Sequence, residues 1–438
     1  MMLRLIIKRN LTNRRFYSTN SMSTTARQVN ANQLSSWLAT QESKSHNDLV
    51  IIDVRERNEI EQHGKIKGSL NVPFKLDSIM FSAGLSDLNK HDKIVFQCMS
   101  GRRSDEAAII AQKLGFEDVY SLQGGLKGWK GPIQPFMNNH SPWVHTIFDT
   151  ETETAQYIVT DLESKEAFIV DPVLNYDPFS SIVHPLLAKT LIQFIEKYQL
   201  NVSKIIDTHV HADHLTAAHY IKNQLPSKPE FWIGKDVTQV QQVFGEKYNL
   251  SHDELNPTGE QFDKLVSEGL QWTLGKDIQC SVLSTPGHTP ACMSYRIGDA
   301  AFVGDTLFMP DIGTARCDFP GGSAEKMYHS IHKMYDNWPD DTRIYVGHDY
   351  PPEDRPYRVV TSLEKHKKFN KMINESVSLE EYKKLRQERD SKLKAPRYIH
   401  PSIQTNLRGG ILPTPELSVH DKQTLQHFFK IPVRWKSS

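Results

Sequence analysis

The 438-residue sequence predicts an α/β protein made of two successive units. Three observations carry this. Short β-branched runs alternate with helix-spaced segments from about residue 28, and the tract "GPIQPFMNNHSPW" (131–143) then breaks all periodicity. A second, longer series of strand-like runs follows, each stopping just before a polar residue. The length suits two or three domains of about 150 residues. With 38% hydrophobic and 24% charged residues, the chain can bury real cores.

The first stretch differs from the rest. It carries Arg4, Lys8, Arg9, Arg14, Arg15 and Arg27, and the first acidic residue is Glu42. A basic, hydroxyl-rich, acid-free segment has the composition of a mitochondrial transit peptide, so residues 1–27 are expected to be a leader and the protein to reside in the matrix. "RFYS" (15–18) resembles a matrix-processing site. A disordered basic tail is the alternative, and a start at Met22 would leave a cytoplasmic form.

In the first unit, expected over 28–132, "LVIIDV" (49–54) and "KIVFQC" (93–98) have the character of buried parallel strands. "SDEAAIIAQKLGF" (104–116) continues at helical spacing, with Ser104 and Asp105 at its start. A linker is expected over 133–143 and the second unit over 144–438. That unit opens with "QYIVTD" and "EAFIVDPV", then the helical "PLLAKTLIQFIEKYQL" and the strand "VSKIIDT". "IQCSVL", "CMSYRIG", "AFVGD" and "RIYVG" are later strands, and "SLEEYKKLRQERD" (378–390) reads as a solvated helix.

Several classes are excluded. Lys+Arg and Asp+Glu are both 52, so no net field draws nucleic acid or an anionic membrane. No apolar run reaches 18 residues, so no membrane span is expected. Four cysteines without a C-x-x-C pair make neither a disulfide scaffold nor a thiolate zinc site.

Two motifs carry chemistry. "CMSGRRS" (98–104) lies between a strand and a helix, where converging N–H groups and a helix N-terminus stabilise a thiolate or an anion. Cys98 would be the nucleophile, Gly101 would allow the tight curl, and Arg102 and Arg103 would meet an anionic substrate, Arg103 closing the ring. A cysteine phosphatase needs arginine at 104, where this chain has serine; the shorter Cys98-to-Arg103 ring suits sulfur-atom transfer. With "IIDVRE" (51–56), "HGKIKGSLNVPF" (63–74) and "LQGGLKGWK" (122–130) in order, this region resembles the rhodanese sulfurtransferases. The resemblance implies that Cys98 takes up sulfane sulfur as a persulfide.

The second motif is "DTHVHADHLTAAH" (207–219). His209, His211, Asp213 and His214 follow a strand directly, and His288, Asp305 and His348 stand at three later strand ends. Imidazole and carboxylate donors from separate strand ends make a nitrogen–oxygen metal site. Their order and spacing resemble the metallo-β-lactamase superfamily over about 144–412, which implies an αββα sandwich. Two branches share these seven groups. Glyoxalase II-type thioester hydrolases use them for two metals, zinc or mixed, and a bridging hydroxide. Persulfide dioxygenases bind one Fe(II) per chain. In that branch His209, His288 and Asp305 would form a two-histidine, one-carboxylate triad, and His211, Asp213, His214 and His348 would support it.

"DIGTARCDFPGG" (311–322) resembles the dioxygenase branch. By that likeness the substrates are glutathione persulfide and O2, with thiosulfate or sulfite handled by the rhodanese unit, and a homo-oligomer is possible. Arg316 would contact the persulfide or the carboxylates of glutathione, or else form an ion pair with Asp318.

Overall fold

Successive side chains of a strand face opposite ways, so a strand covered on both sides is apolar throughout. The two sheet systems of this protein are built on that rule. The computed structural model describes residues 25–42, 49–76, 78–86, 88, 90–134, 141–352, 355–417 and 425–433. Residues 1–24, most of the expected leader and including Met22, lie outside them. Arg27–Val29, at the edge of the expected leader, is a strand paired in parallel with Asp118–Leu122.

The N-terminal unit is a five-stranded parallel sheet, ordered Arg27–Val29, Asp118–Leu122, Lys93–Gln97, Leu49–Asp53, Leu70–Asn71. Ile51 and Val95 face one apolar cluster with Leu34 and Trp129, while Ile52, Ile94 and Phe96 face another with Ala107 and Ala111 of the helix Arg102–Lys113. The expected linker is shorter than 133–143 at both ends. Ile133–Gln134 pairs with Lys65–Ile66, and the strand Trp143–Asp149 begins the second unit.

The second unit is an αββα sandwich. One six-stranded sheet runs Lys264–Val266, Glu230–Gly234, Asn201–Ile206, Glu166–Val170, Thr154–Thr160, Trp143–Asp149. The other runs Gln271–Leu274, Ile278–Ser284, Met293–Ile297, Ala300–Phe302, Arg343–Tyr345, Val360–Ser362. Phe168 and Val170 point between the sheets toward Tyr295 and Phe302, while Ala167 and Ile169 point outward with Leu191 and Ile195 of the helix Leu186–Tyr198. On the far side, Ala301 and Ile344 pack with Ile331 and Met334 of the helix Ala324–Asn337.

The helix Leu379–Asp390, expected to be solvated, is not wholly so. Tyr382, Arg386 and Asp390, spaced four apart on one face, are buried. The two units also touch. Arg57 pairs with Asp161 and with Glu163, and Gln134 donates to Asp341 at 2.6 Å.

Candidate metal centre and sulfur loop

The metal centre collects at the strand ends. His209, His211, Asp213 and His214 follow Asn201–Ile206; His288 follows Ile278–Ser284; Asp305 follows Ala300–Phe302; His348 follows Arg343–Tyr345. The structure thus brings all seven expected residues together. Asp305 lies at their middle, its Oδ2 being 3.6 Å from His288 Nε2 and 4.0 Å from His209 Nε2, and its Oδ1 3.3 Å from His348 Nε2. Gly304, at φ +47°, makes the close approach possible, since a Cβ there would stand 2.3 Å from Thr208 Oγ1.

Each histidine has one ring nitrogen committed to an oxygen, and this sets which nitrogen can face a cation. Thr208 Oγ1 donates to Asp171 Oδ2 (2.9 Å), so it can accept from His209 Nδ1 at 3.0 Å. His288 Nδ1 donates to the carbonyl of Arg316 (2.8 Å), and His348 Nδ1 to that of Glu153 (3.0 Å). His214 Nδ1 lies 2.8 Å from Asp213 Oδ2. His211 is turned the other way, with Nε2 3.0 Å from Asp171 Oδ1.

The opposite atoms, His209 Nε2, His211 Nδ1, His214 Nε2 and also Asp305 Oδ1, are buried without a hydrogen-bond partner among the described residues. Four such orphans in one place would be a heavy cost in a finished core. They fit a metal ion. Burial holds His209 and His211 well below the ordinary histidine range, which keeps them neutral as ligands must be. Asp305 resists the upward push of burial because His348, His288 and His209 surround it, and its carboxyl sits below the usual range.

The ligand atoms fall into groups. His209, His288 and Asp305 lie within 4.8 Å of one another, while His211 groups instead with Asp213 and His214, or with Asp171 and Asp207.

Sequence reasoning missed several supports of this centre. Asp171, at the end of Glu166–Val170, binds both Thr208 and His211. Asn406, inside "QTNLRGG", donates to the carbonyls of His211 and His214 at 2.8 Å each and accepts from Thr216 N. Arg386 donates to the carbonyl of Thr314, and Asp390 accepts from Cys317 N, so the helix Leu379–Asp390 holds the "DIGTARCDF" loop. The buried i, i+4, i+8 stripe was the available signal.

Of the two roles expected for Arg316, the structure shows the ion pair. Its Nε and Nη2 bind Asp318 at 2.6 and 2.7 Å and its Nη1 donates to the carbonyl of Lys394, so the ion pair forms. Its carbonyl accepts from His288 Nδ1.

In the sulfur loop, burial alone would raise the Cys98 thiol. Hydrogen bonding from Ser104 and from the backbone N–H groups of Ser104, Ser100 and Gly101 more than offsets this, and the thiol lies below its ordinary value. Gly101 N stands 3.1 Å and Ser104 Oγ 3.6 Å from the sulfur. The other cysteines go the opposite way: burial pushes Cys292 and Cys317 up to about 12 and raises Cys280 as well.

The glycines of "LQGGLKGWK" let that segment press on the loop. Leu126 N donates to the Cys98 carbonyl at 2.7 Å, and a Cβ on Gly125 would stand 2.4 Å from the same oxygen. Arg103, expected to close the ring, is gripped by both oxygens of Glu59 at 2.6 Å, and Arg102 is exposed beside Glu106.

Comparison with known proteins places both units. The rhodanese-like domain family matches residues 31–132, and the metallo-beta-lactamase superfamily matches 275–348. A Dictyostelium discoideum protein named glyoxylase B2 is 46% identical over 270 residues, covering 61% of this chain and 91% of its own. The chain belongs to the metallo-beta-lactamase superfamily. A rhodanese-like domain precedes that fold. A probable metallo-hydrolase of Burkholderia pseudomallei is 41% identical over 62% of this chain and 95% of its own. The human mitochondrial persulfide dioxygenase is 28% identical over 60% of this chain and 87% of its own. Among the described residues, no helix is long and apolar enough to cross a membrane.

Proposed function

We propose that this protein is an iron-dependent persulfide dioxygenase joined to a sulfurtransferase. In the proposed reaction glutathione persulfide, O2 and water give glutathione and sulfite, balanced as GSSH + O2 + H2O → GSH + H2SO3. The observation that carries the reading is the grouping of His209, His288 and Asp305, whose ligand atoms lie within 4.8 Å of one another. Two imidazoles and one carboxylate form a donor set suited to Fe(II), which would leave positions open for two reactants. Iron bound there would supply O2 activation. The likeness to the human persulfide dioxygenase supports the choice.

The residues around the ion have distinct tasks. Asp171 and the Arg316 and Glu153 carbonyls fix ring orientation, and Asn406 holds the two backbone carbonyls of the histidine loop. His348 Nε2 lies between the two carboxylates, 3.3 Å from Asp305 Oδ1 and 3.6 Å from Asp213 Oδ2.

In the rhodanese-like unit the Cys98 thiolate would attack the outer sulfur of thiosulfate, breaking its S–S bond and releasing sulfite, and carry that sulfur as a persulfide. Passed to glutathione, that sulfur feeds the oxygenase; passed to sulfite, it makes thiosulfate. A mitochondrial matrix location belongs to this reading, supported by the acid-free basic N-terminal segment.

A dinuclear thioester hydrolase is the second reading. It is favoured by the adjacent His211, Asp213 and His214 group and by the relative named glyoxylase B2. An oxygen electrode separates the two. O2 uptake equal to the sulfite formed from glutathione persulfide is the expected result, and hydrolysis of S-lactoylglutathione without O2 uptake would overturn it.

A further inference from the structure

The seven candidate ligands could hold two ions, and the grouping of His209, His288 and Asp305 does not by itself keep a second one out. A residue that can do so lies outside the ligand set, just past the turn that joins Trp143–Asp149 to Thr154–Thr160. Thr154 is buried and pairs with His348 across an isolated bridge. Its hydroxyl donates to Asp213 Oδ2 at 3.2 Å and stands 3.3 Å from His348 Nδ1 and 3.5 Å from His214 Nδ1. None of these three belongs to the group of His209, His288 and Asp305.

Each oxygen of an ionised carboxylate offers two lone pairs. At Asp213 Oδ2 both are taken, one by His214 Nδ1 at 2.8 Å and one by the Thr154 hydroxyl. A cation at that oxygen must displace one of them. The hydroxyl is itself held in place by the turn. Asp149 accepts from Glu151 N, from Thr152 N and, at 2.7 Å, from Thr152 Oγ1, which lies 2.8 Å from Thr154 Oγ1. Between the two threonines Glu153 takes φ +55°, a left-handed conformation unfavourable for a residue with a side chain. That bend aims the Glu153 carbonyl at His348 Nδ1, 3.0 Å away. Backbone strain kept at such a spot marks a turn shaped for the contacts it makes.

We propose that Thr154 is a positioning residue that limits the centre to one ion. By filling a lone pair of Asp213 Oδ2, its hydroxyl withholds the carboxylate that a second cation would need beside His214 and His348. The inference rests on the one-iron reading and goes beyond it, since it names the group that sets the ion count. A residue that only orients ligands acts with the opposite sign, because its loss weakens metal binding. Loss of the Thr154 hydroxyl should instead strengthen binding of a second ion.

The test is calorimetric titration of the full chain, loaded with one equivalent of cobalt(II), with further cobalt(II). In the unaltered protein the second ion should bind weakly. Thr154→Val and, with a smaller side chain, Thr154→Ala should bind it at least about tenfold more tightly, the effect of releasing one hydrogen bond to a charged group. Thr154→Ser, which keeps the hydroxyl, should match the unaltered protein. Unchanged thermal unfolding of the variants rules out a folding defect as the cause. A second ion bound as weakly by the valine and alanine variants as by the unaltered protein overturns the role of Thr154 and leaves the one-ion reading standing. Tightening in Thr154→Ser as well overturns the role of the hydroxyl in the same way. Two tightly held ions in the unaltered protein overturn the one-ion reading and this inference together.

Discussion

The sulfur loop and the metal centre both begin where a strand ends, yet they are completed in opposite ways. Cys98 draws its polarising contacts from Ser100, Gly101 and Ser104, all within six positions of the sulfur. Nothing has to be added for the thiol to be acidic. The metal centre instead gathers residues from four strand ends and still leaves buried lone pairs without partners. These atoms fit a metal ion, and a cation bound there would contribute to the fold energetics as well as to the chemistry. A local loop supplies its own electrostatics; a dispersed cluster borrows them from an ion.

The comparison breaks if the two sites fail to separate by mutation. The largest effect expected is for Cys98→Ser, which should lower thiosulfate-to-thiol sulfur transfer at least about a thousandfold. O2 uptake with supplied glutathione persulfide should stay within about twofold, as for independent sites. Asp305→Ala should do the reverse, cutting O2 uptake by more than about a hundredfold with loss of bound metal, while sulfur transfer persists. Loss of both activities in either variant would end the claim that the sites are independent.

Asp171→Asn sharpens the contrast from the supporting shell. Asp171 holds both Thr208 and His211, so its loss should weaken metal affinity about 10- to 100-fold, read by chelator competition, without touching Cys98 reactivity. The smallest effect belongs to Ser104→Ala. Ser104 lowers the Cys98 pKa, so removing its hydroxyl moves the thiol back up and reduces the thiolate fraction at neutral pH. Alkylation of Cys98 should slow about three- to tenfold at pH 7, and the rate-against-pH curve should shift to higher pH. In the unaltered protein Cys98 should react at a lower pH than Cys280, Cys292 or Cys317, whose thiols burial raises.

Legibility in the sequence follows the same division. Contiguous features were readable: the cysteine loop, the dense histidine motif and the strands that end at His288, Asp305 and His348. The two-sheet arrangement was reached through family resemblance, because periodicity alone does not say which strands pair. Contacts made by backbone atoms were invisible. The Arg316 carbonyl that orients His288 has no side-chain signature, and the guanidinium that drew notice is bound to Asp318. Long-range supports such as Asn406 on the histidine loop look like ordinary polar residues until the fold brings them near. Asp171 ends a strand just as Asp305 does, yet a single carboxylate at a strand end does not distinguish a ligand from a residue that holds one.

The central claim is that three residues, His209, His288 and Asp305, hold one iron while their neighbours only orient them. Metal analysis of protein produced without added zinc tests it most directly. One iron per chain, lost in Asp305→Ala, is the predicted result, whereas two tightly held metal ions per chain would contradict it.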